Sequence, residues 1–209
     1  LGGLQFSFNP QDDEHDAEKA VSAYNALKDW GMQLFCGTVT TGPALAVGPE
    51  AAADHMFMMT PSASAKEVAE GGDCVFQVCF IDPAQGEISA NVIADKNLGS
   101  NIGIIYDSST VYSTGIYDSF VAQAEVRGLN IVAKEAFTAD NSSDLTTQVT
   151  KMKDEGADLV FLPIYYTPAA LILAEAKKQD FTPVFFGVDG MDGILTLEGF
   201  DTTLAEGVM

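Results

Sequence analysis

Through residues 17–30 apolar side chains return every three or four positions, at Ala20, Val21, Tyr24, Leu27 and Trp30, and a glycine follows at position 31. That spacing predicts a helix with one buried face, ended by a residue free to turn left-handed. Short apolar runs flank it, "LQFSFN" before and "QLFCG" after, and their length predicts strands. The two patterns then alternate, with "GPALAVGPEAAADH" as helix, "MFMMT" as strand, "SASAKEVAEGG" as helix and "CVFQVCF" as strand, closing at Asp82 and Pro83. After a helical "AQGEISANVIADKN" a second series supplies strands "NIGIIYD", "NIVAKEAF", "DLVFLPI" and "TPVFFGVDG". Between them lie helical "VYSTGIYDSFVAQAEVRG", "SSDLTTQVTKMKDEG" and "TPAALILAEAKKQ", the second of which carries the stripe Leu145, Val149 and Met152.

Regular alternation of strand and helix is the mark of an α/β fold built on parallel sheets. The two series predict two lobes, residues 1–87 and 88–209, meeting near residues 82–88. A boundary of a few residues, with no low-complexity linker, fits a hinge better than a tether.

Composition narrows the partners. Ten basic residues against thirty acidic ones give a formal net charge of -20 and a pI near 4.1. That field repels phosphate backbones and anionic membrane surfaces, so nucleic acid is excluded as a partner. Apolar runs such as "DLVFLPI" fall well short of the roughly 20 residues that span a bilayer, so no membrane-spanning helix is expected. The chain begins "LGGLQFSFN", with no initiator Met, charged n-region or signal h-region, and any targeting segment is expected to have been removed or left out. Of the three cysteines, Cys74 and Cys79 would stand about 16 Å apart on opposite faces of a strand and cannot bond each other. The expectation is three buried thiols at strand positions, with a Cys36 pairing left open.

Ligands of open α/β sheets sit beyond the carboxyl ends of the strands. Here those positions carry Thr38, Thr40 and Thr41, then Ser62 and Ser64, then Ser108, Ser109 and Tyr112, then Tyr165 and Tyr166, and finally Asp189. Catalytic readings lack partners. His15 and His55 have no Cys or second His at ligand spacing. No serine sits in a G-x-S-x-G elbow, and neither the G-x-G-x-x-G nor the G-x-x-x-x-G-K-[ST] phosphate fingerprint occurs. "GVDGMDG" lacks the acidic ligand count of a calcium loop and reads as a turn. A zwitterionic amino acid suits what remains. Its carboxylate would meet Ser64, Thr41 and free N–H groups at helix N-termini. Its ammonium would meet Asp189, with Tyr112 or Tyr165 as an aromatic wall or hydroxyl acceptor. Beside this stands the plainer reading, in which Ser62 or Ser64 merely caps a helix starting near Lys66 and the tyrosines pack.

In this order the segments resemble a known family, the type I periplasmic binding proteins of the leucine/isoleucine/valine-binding kind, which deliver amino acids to ABC transporters. "NPQDDEHDAEKAVSAYNAL" is similar to the family's acidic loop and first long helix, "GTVTTG" to its first ligand loop, and "TPSASAKEVAEGG" to its serine/threonine-proline loop. "FIDPAQG" resembles the crossover into the second lobe, "YDSSTVYSTG" the tyrosine-glycine loop, and "FFGVDG" the loop with the acidic residue. The resemblance implies two Rossmann-like lobes with parallel sheets joined by a hinge, here truncated at both ends, with the first lobe incomplete. It implies that Thr41, the Ala63 backbone and Ser64 bind a ligand carboxylate, that Tyr112 and Tyr165 close over the ligand, and that Asp189 binds its ammonium. It further implies binding without catalysis or cofactor, a permease partner, and a place in the periplasm or lipid-anchored at the cell surface. The family often has arginine where Gln77 stands and, in some members, glutamate where Asp189 stands; Pro163 and Ile164 are also unusual. The ligand implied is a small uncharged or branched-chain amino acid. Rival readings are a ligand sensor on the same fold with a non-transport output, and an enzyme pairing Asp189 with a hydroxyl.

Overall fold

The computed structural model describes residues 2–3 and 5–209. The chain divides into two compact units, Leu1–Ile81 and Asp82–Met209. The division falls before the expected 87/88 boundary because Asp82 opens a helix that runs unbroken to Lys96.

In the first unit, strands β1 (Phe35–Cys36), β2 (Met58–Thr60) and β3 (Val75–Gln77) form a parallel sheet in the order β1-β2-β3. Helix α1 (Ala17–Trp30) starts at Asp16, whose carboxylate accepts the Lys19 N–H at 2.8 Å. It ends at Gly31 with φ 94°, the left-handed conformation that the predicted stop requires. Ala20, Tyr24 and Leu27 are buried as the spacing predicts, whereas Trp30 at the last turn is half exposed. The buried ring of Tyr24 meets Phe35 edge-on at 5.4 Å and its hydroxyl donates to Asp54 at 3.0 Å; Lys28 pairs with the same carboxylate. Helix α2 (Thr41–Ala53) adds Ala44, Val47 and Ala51 to this core.

Three expectations for this unit change. Residues 5–9 of "LQFSFN" form no strand and leave Phe6 and Phe8 exposed; Leu4 lies outside the described residues. The alternation suits a strand, but a strand exists only against a partner, and none pairs with it among the described residues. "SASAKEVAEGG" yields only a 3-10 turn at Lys66–Glu70, because Gly71 and Gly72 stop it within five residues. Ala65, not a serine, stands at the cap position, and no side chain caps the turn. No disulfide links the three cysteines among the described residues: Cys36 is exposed because it faces away from buried Phe35 in β1, and Cys74 and Cys79 lie just outside the two ends of β3 and are only partly buried.

In the second unit, β4 (Ile102–Asp107), β5 (Ile131–Phe137), β6 (Leu159–Leu162) and β7 (Val184–Gly187) form a parallel sheet in the order β5-β4-β6-β7. Along β6, Leu159 and Phe161 join a core with α3 (Asp82–Lys96) and α4 (Val111–Arg127), while Val160 and Leu162 join one with α5 (Thr146–Asp154) and α6 (Tyr166–Lys178). Both faces of the sheet are therefore covered by helices, which is why "DLVFLPI" is apolar without alternation. Leu145, Val149 and Met152 are buried in the second of these cores, as the stripe predicts.

Helices α3 and α4 touch through Gly86. A Cβ there would lie 2.2 Å from Ser119 Oγ and 2.3 Å from the Ile116 carbonyl, against backbone that cannot yield. Gly86→Ala is expected to cost the second unit about 3 kcal/mol, measured by urea denaturation; a wild-type midpoint would contradict the close crossing.

Candidate functional site

In the first unit the loops after β1 and β2 are fastened by one hydroxyl. Thr60 Oγ1, at the end of β2, donates to the Thr38 carbonyl at 2.6 Å and accepts N–H bonds from Ala63 at 2.9 Å and Ser62 at 3.3 Å. Thr41 heads α2, is buried, and accepts the Ala65 N–H at 3.4 Å. Gln77, at the end of β3, donates from Nε2 to the Ala63 carbonyl at 2.5 Å and the Ala65 carbonyl at 3.2 Å; the Cys79 thiol donates to Ala63 as well at 3.3 Å. Ser64 sits between those two carbonyls and is 1% exposed; its hydroxyl makes no hydrogen bond among the described residues. Thr40, the residue before Thr41, shares a hydrogen bond of 2.7 Å with His15 Nδ1, so the acidic loop before α1 is tied to the start of α2. Thr41, Ala63 and Ser64 thus come together on one pair of loops, with the Ala63 N–H already taken by Thr60 and the Ser64 hydroxyl open.

In the second unit Asp189 follows β7 and begins a short 3-10 turn, Asp189–Met191. Tyr112, in the first turn of α4 and 2% exposed, donates its hydroxyl to Asp189 Oδ1 at 2.6 Å and accepts the Gly190 N–H at 2.9 Å. Its ring stacks on that of Tyr165, which caps α6, with centroids 4.5 Å apart and planes 12° from parallel. Burial, reinforced by the charge of Asp189, holds the Tyr112 hydroxyl well above its ordinary pKa, so it stays a donor to the carboxylate. Gly190 is required by this approach, because a Cβ there would lie 2.5 Å from Tyr112 Oη and 2.9 Å from the Ile164 carbonyl. Behind it, Gln85 Oε1 accepts the Asp189 N–H at 3.4 Å while Gln85 Nε2 donates to the buried Asp82 at 3.4 Å. Tyr112, Tyr165 and Asp189 therefore form one cluster, in which Tyr112 orients the carboxylate and Tyr165 is the less buried ring.

Other hydroxyls at strand ends serve local structure. Ser108 donates to the Phe137 carbonyl, Ser109 to Asp107, and Ser113 accepts the Asp107 N–H. Thr60, Gln85 and Gly190 were not singled out from the sequence. Thr60 reads there as the end of a strand, Gln85 as an ordinary polar helix position, and only the glycine directly after Asp189 hinted at a close approach. Among the described residues no group of three His, Cys, Asp or Glu suited to a metal occurs, and no helix is long and apolar enough to cross a membrane.

A model of the family described as "Periplasmic binding protein" matches residues 1–207. The Leu/Ile/Val-binding protein homolog 3 of Brucella melitensis biotype 1 is 27% identical over 181 residues, covering 86% of this chain and 49% of that protein. The leucine-, isoleucine-, valine-, threonine- and alanine-binding protein of Pseudomonas aeruginosa is 26% identical over 195 residues, covering 91% of this chain and 51% of its own. Among solved structures, the branched-chain amino acid transporter substrate binding protein LivJ from Streptococcus pneumoniae, in complex with isoleucine, is 27% identical with a TM-score of 0.83, covering 91% of this chain and 54% of its own. The chain spans about half the length of the curated relatives it matches. These relatives are named for binding, not for catalysis.

Tyr112→Phe is expected to lower stability by about 2 kcal/mol near neutral pH, since it removes a charge-assisted hydrogen bond and leaves the Gly190 N–H without its acceptor. The hydroxyl's folded pKa lies above its ordinary 10.0, so its contribution is complete below that pH and is lost as pH rises beyond it. Urea titrations from neutral pH to about pH 11 should show the gap between the two proteins closing only in alkali; a gap independent of pH would contradict the assignment.

Proposed function

This chain belongs to the periplasmic binding protein family, and we propose that it serves an extracytoplasmic solute receptor for a small uncharged amino acid, branched-chain ones foremost. The observation that carries this reading is the Asp189 carboxylate, held by the Tyr112 hydroxyl and flanked by the Tyr165 ring. A fixed carboxylate beside an aromatic face is the chemistry that receives an ammonium group. The first unit supplies the complementary chemistry, buried hydroxyls at Thr41 and Ser64 on loops that end parallel strands. Neutral donors of that kind suit a single carboxylate. The branched-chain names of the relatives support the same ligand class.

In this reading the ligand carboxylate falls to Thr41 and Ser64 and the ammonium to Asp189, while an apolar side chain is selected by wall shape. Pocket walls of that sort discriminate by about 1 to 3 kcal/mol per methylene, enough to prefer a size but not to exclude close analogues. We assign the output to an ABC permease, with the receptor in the periplasm or anchored at the cell surface.

The test is a thermal-shift screen of the protein amino acids and common sugars, followed by calorimetry. Leucine, isoleucine or valine should raise the melting temperature. Asp189→Ala should weaken their binding by about a hundredfold, the scale of removing one partner of a close charge pair. Stabilisation by sugars alone would overturn the reading, and unchanged affinity in Asp189→Ala would take that residue out of the site.

A further inference from the structure

Gln77 ends a strand that no ligand role was read into, yet its side chain reaches back to the loop that follows β2. One amide nitrogen meets two carbonyls, those of Ala63 and Ala65, at 2.5 and 3.2 Å. Both residues are buried in a loop that is neither helix nor strand; the Ala65 carbonyl also accepts the Val68 N–H at 3.1 Å as the 3-10 turn begins, whereas the Ala63 carbonyl is met by the side chains of Gln77 and Cys79. An amide group has two N–H bonds and can serve two acceptors at once. The Ala63 carbonyl lies in the peptide plane that leads into Ser64 and the Ala65 carbonyl in the plane after Ala65, so one amide spans the Ser64–Ala65 dipeptide and restrains the backbone that directs the Ser64 hydroxyl.

Resting on the reading above, we infer that Gln77 is the positioning residue of the carboxylate-binding loop: it touches no ligand, and presents Ser64 by clamping the carbonyls on either side. The other supports of the loop do not duplicate this. Thr60 takes the N–H groups of Ser62 and Ala63, upstream of Ser64, and Thr41 takes the N–H of Ala65 at the longer distance of 3.4 Å. The Cys79 thiol also donates to the Ala63 carbonyl, at 3.3 Å. Among the described residues, the Gln77 amide is the side-chain group that ties the peptide before Ser64 to the one after Ala65.

The discriminating variant is Gln77→Glu, which keeps the shape and reverses the polarity. An ionised carboxylate offers no donor and faces two carbonyl oxygens; once protonated it regains one O–H donor. Hydrogen exchange in the ligand-free protein, with each rate divided by its unstructured-peptide value, should show residues 62–66 of the variant exchanging about tenfold faster than wild type near pH 8. The β4 amides should be unchanged, and the excess should shrink near pH 5. Leucine affinity of the variant should fall about tenfold near pH 8 and recover in parallel on acidification. Wild-type exchange and affinity near pH 8 would overturn the inference, as would acceleration spread across the whole first unit or a loss that acid does not repair. If the unaltered protein fails to bind leucine, isoleucine or valine, the amino-acid reading fails by itself, and the exchange comparison still decides the role of Gln77.

Discussion

Parallel pairing is the constraint from which the rest of both units follows. Strands that all run one way deliver all their carboxyl ends to one edge of the sheet, and each must hand over there to a segment that crosses back. The chain at that edge has left the ladder, so its N–H and C=O groups need partners from side chains. In the first unit those partners are Thr60, Thr41 and Gln77. In the second they are Tyr112 and Gln85. The residues assigned to the ligand lie among these supports because the same edge that gathers loops also gathers polar groups.

The two units meet this constraint with different chemistry. The first uses short hydroxyls and an amide, each satisfying nearby backbone and leaving Ser64 open. The second uses a large aromatic whose hydroxyl is at once donor to a side chain and acceptor from the backbone. Burial of Tyr112 removes competing water, which makes a single hydrogen bond sufficient to hold a carboxylate in one rotamer.

How much of this was legible in the sequence depended on whether a pattern is local. Helix α1 could be read with its end, because the apolar spacing repeats from turn to turn and Gly31 stops the helix at the very next residue. The inner strand β6 of the second unit was equally plain, since burial on both faces leaves an unbroken apolar run. The segment "LQFSFN" shows the opposite case: its alternation is a strand's, but pairing is a property of two segments and cannot be written in one. The loop "TPSASAKE" misled in a different way. Its serines look like helix caps, yet the glycines beyond it leave room for only a 3-10 turn, and the groups that order the loop come from Thr60 and Gln77 on two different strands. Candidate residues at strand ends were found because topology places them there; their supporting partners, set by distances across the fold, were not.

The contact between Tyr112 and the Asp189–Gly190 dipeptide also bears on how the protein ages. Among aspartates, those followed by glycine cyclise most readily into a succinimide, a reaction in which the glycine nitrogen loses its proton and attacks the side-chain carboxyl carbon, with water leaving. Here that nitrogen donates its proton to the Tyr112 hydroxyl, and the carboxylate is fixed by the same oxygen. The bond network that orients Asp189 therefore also protects it from isomerising. Chemical damage at this dipeptide should then report on how often the loop opens in a stored sample.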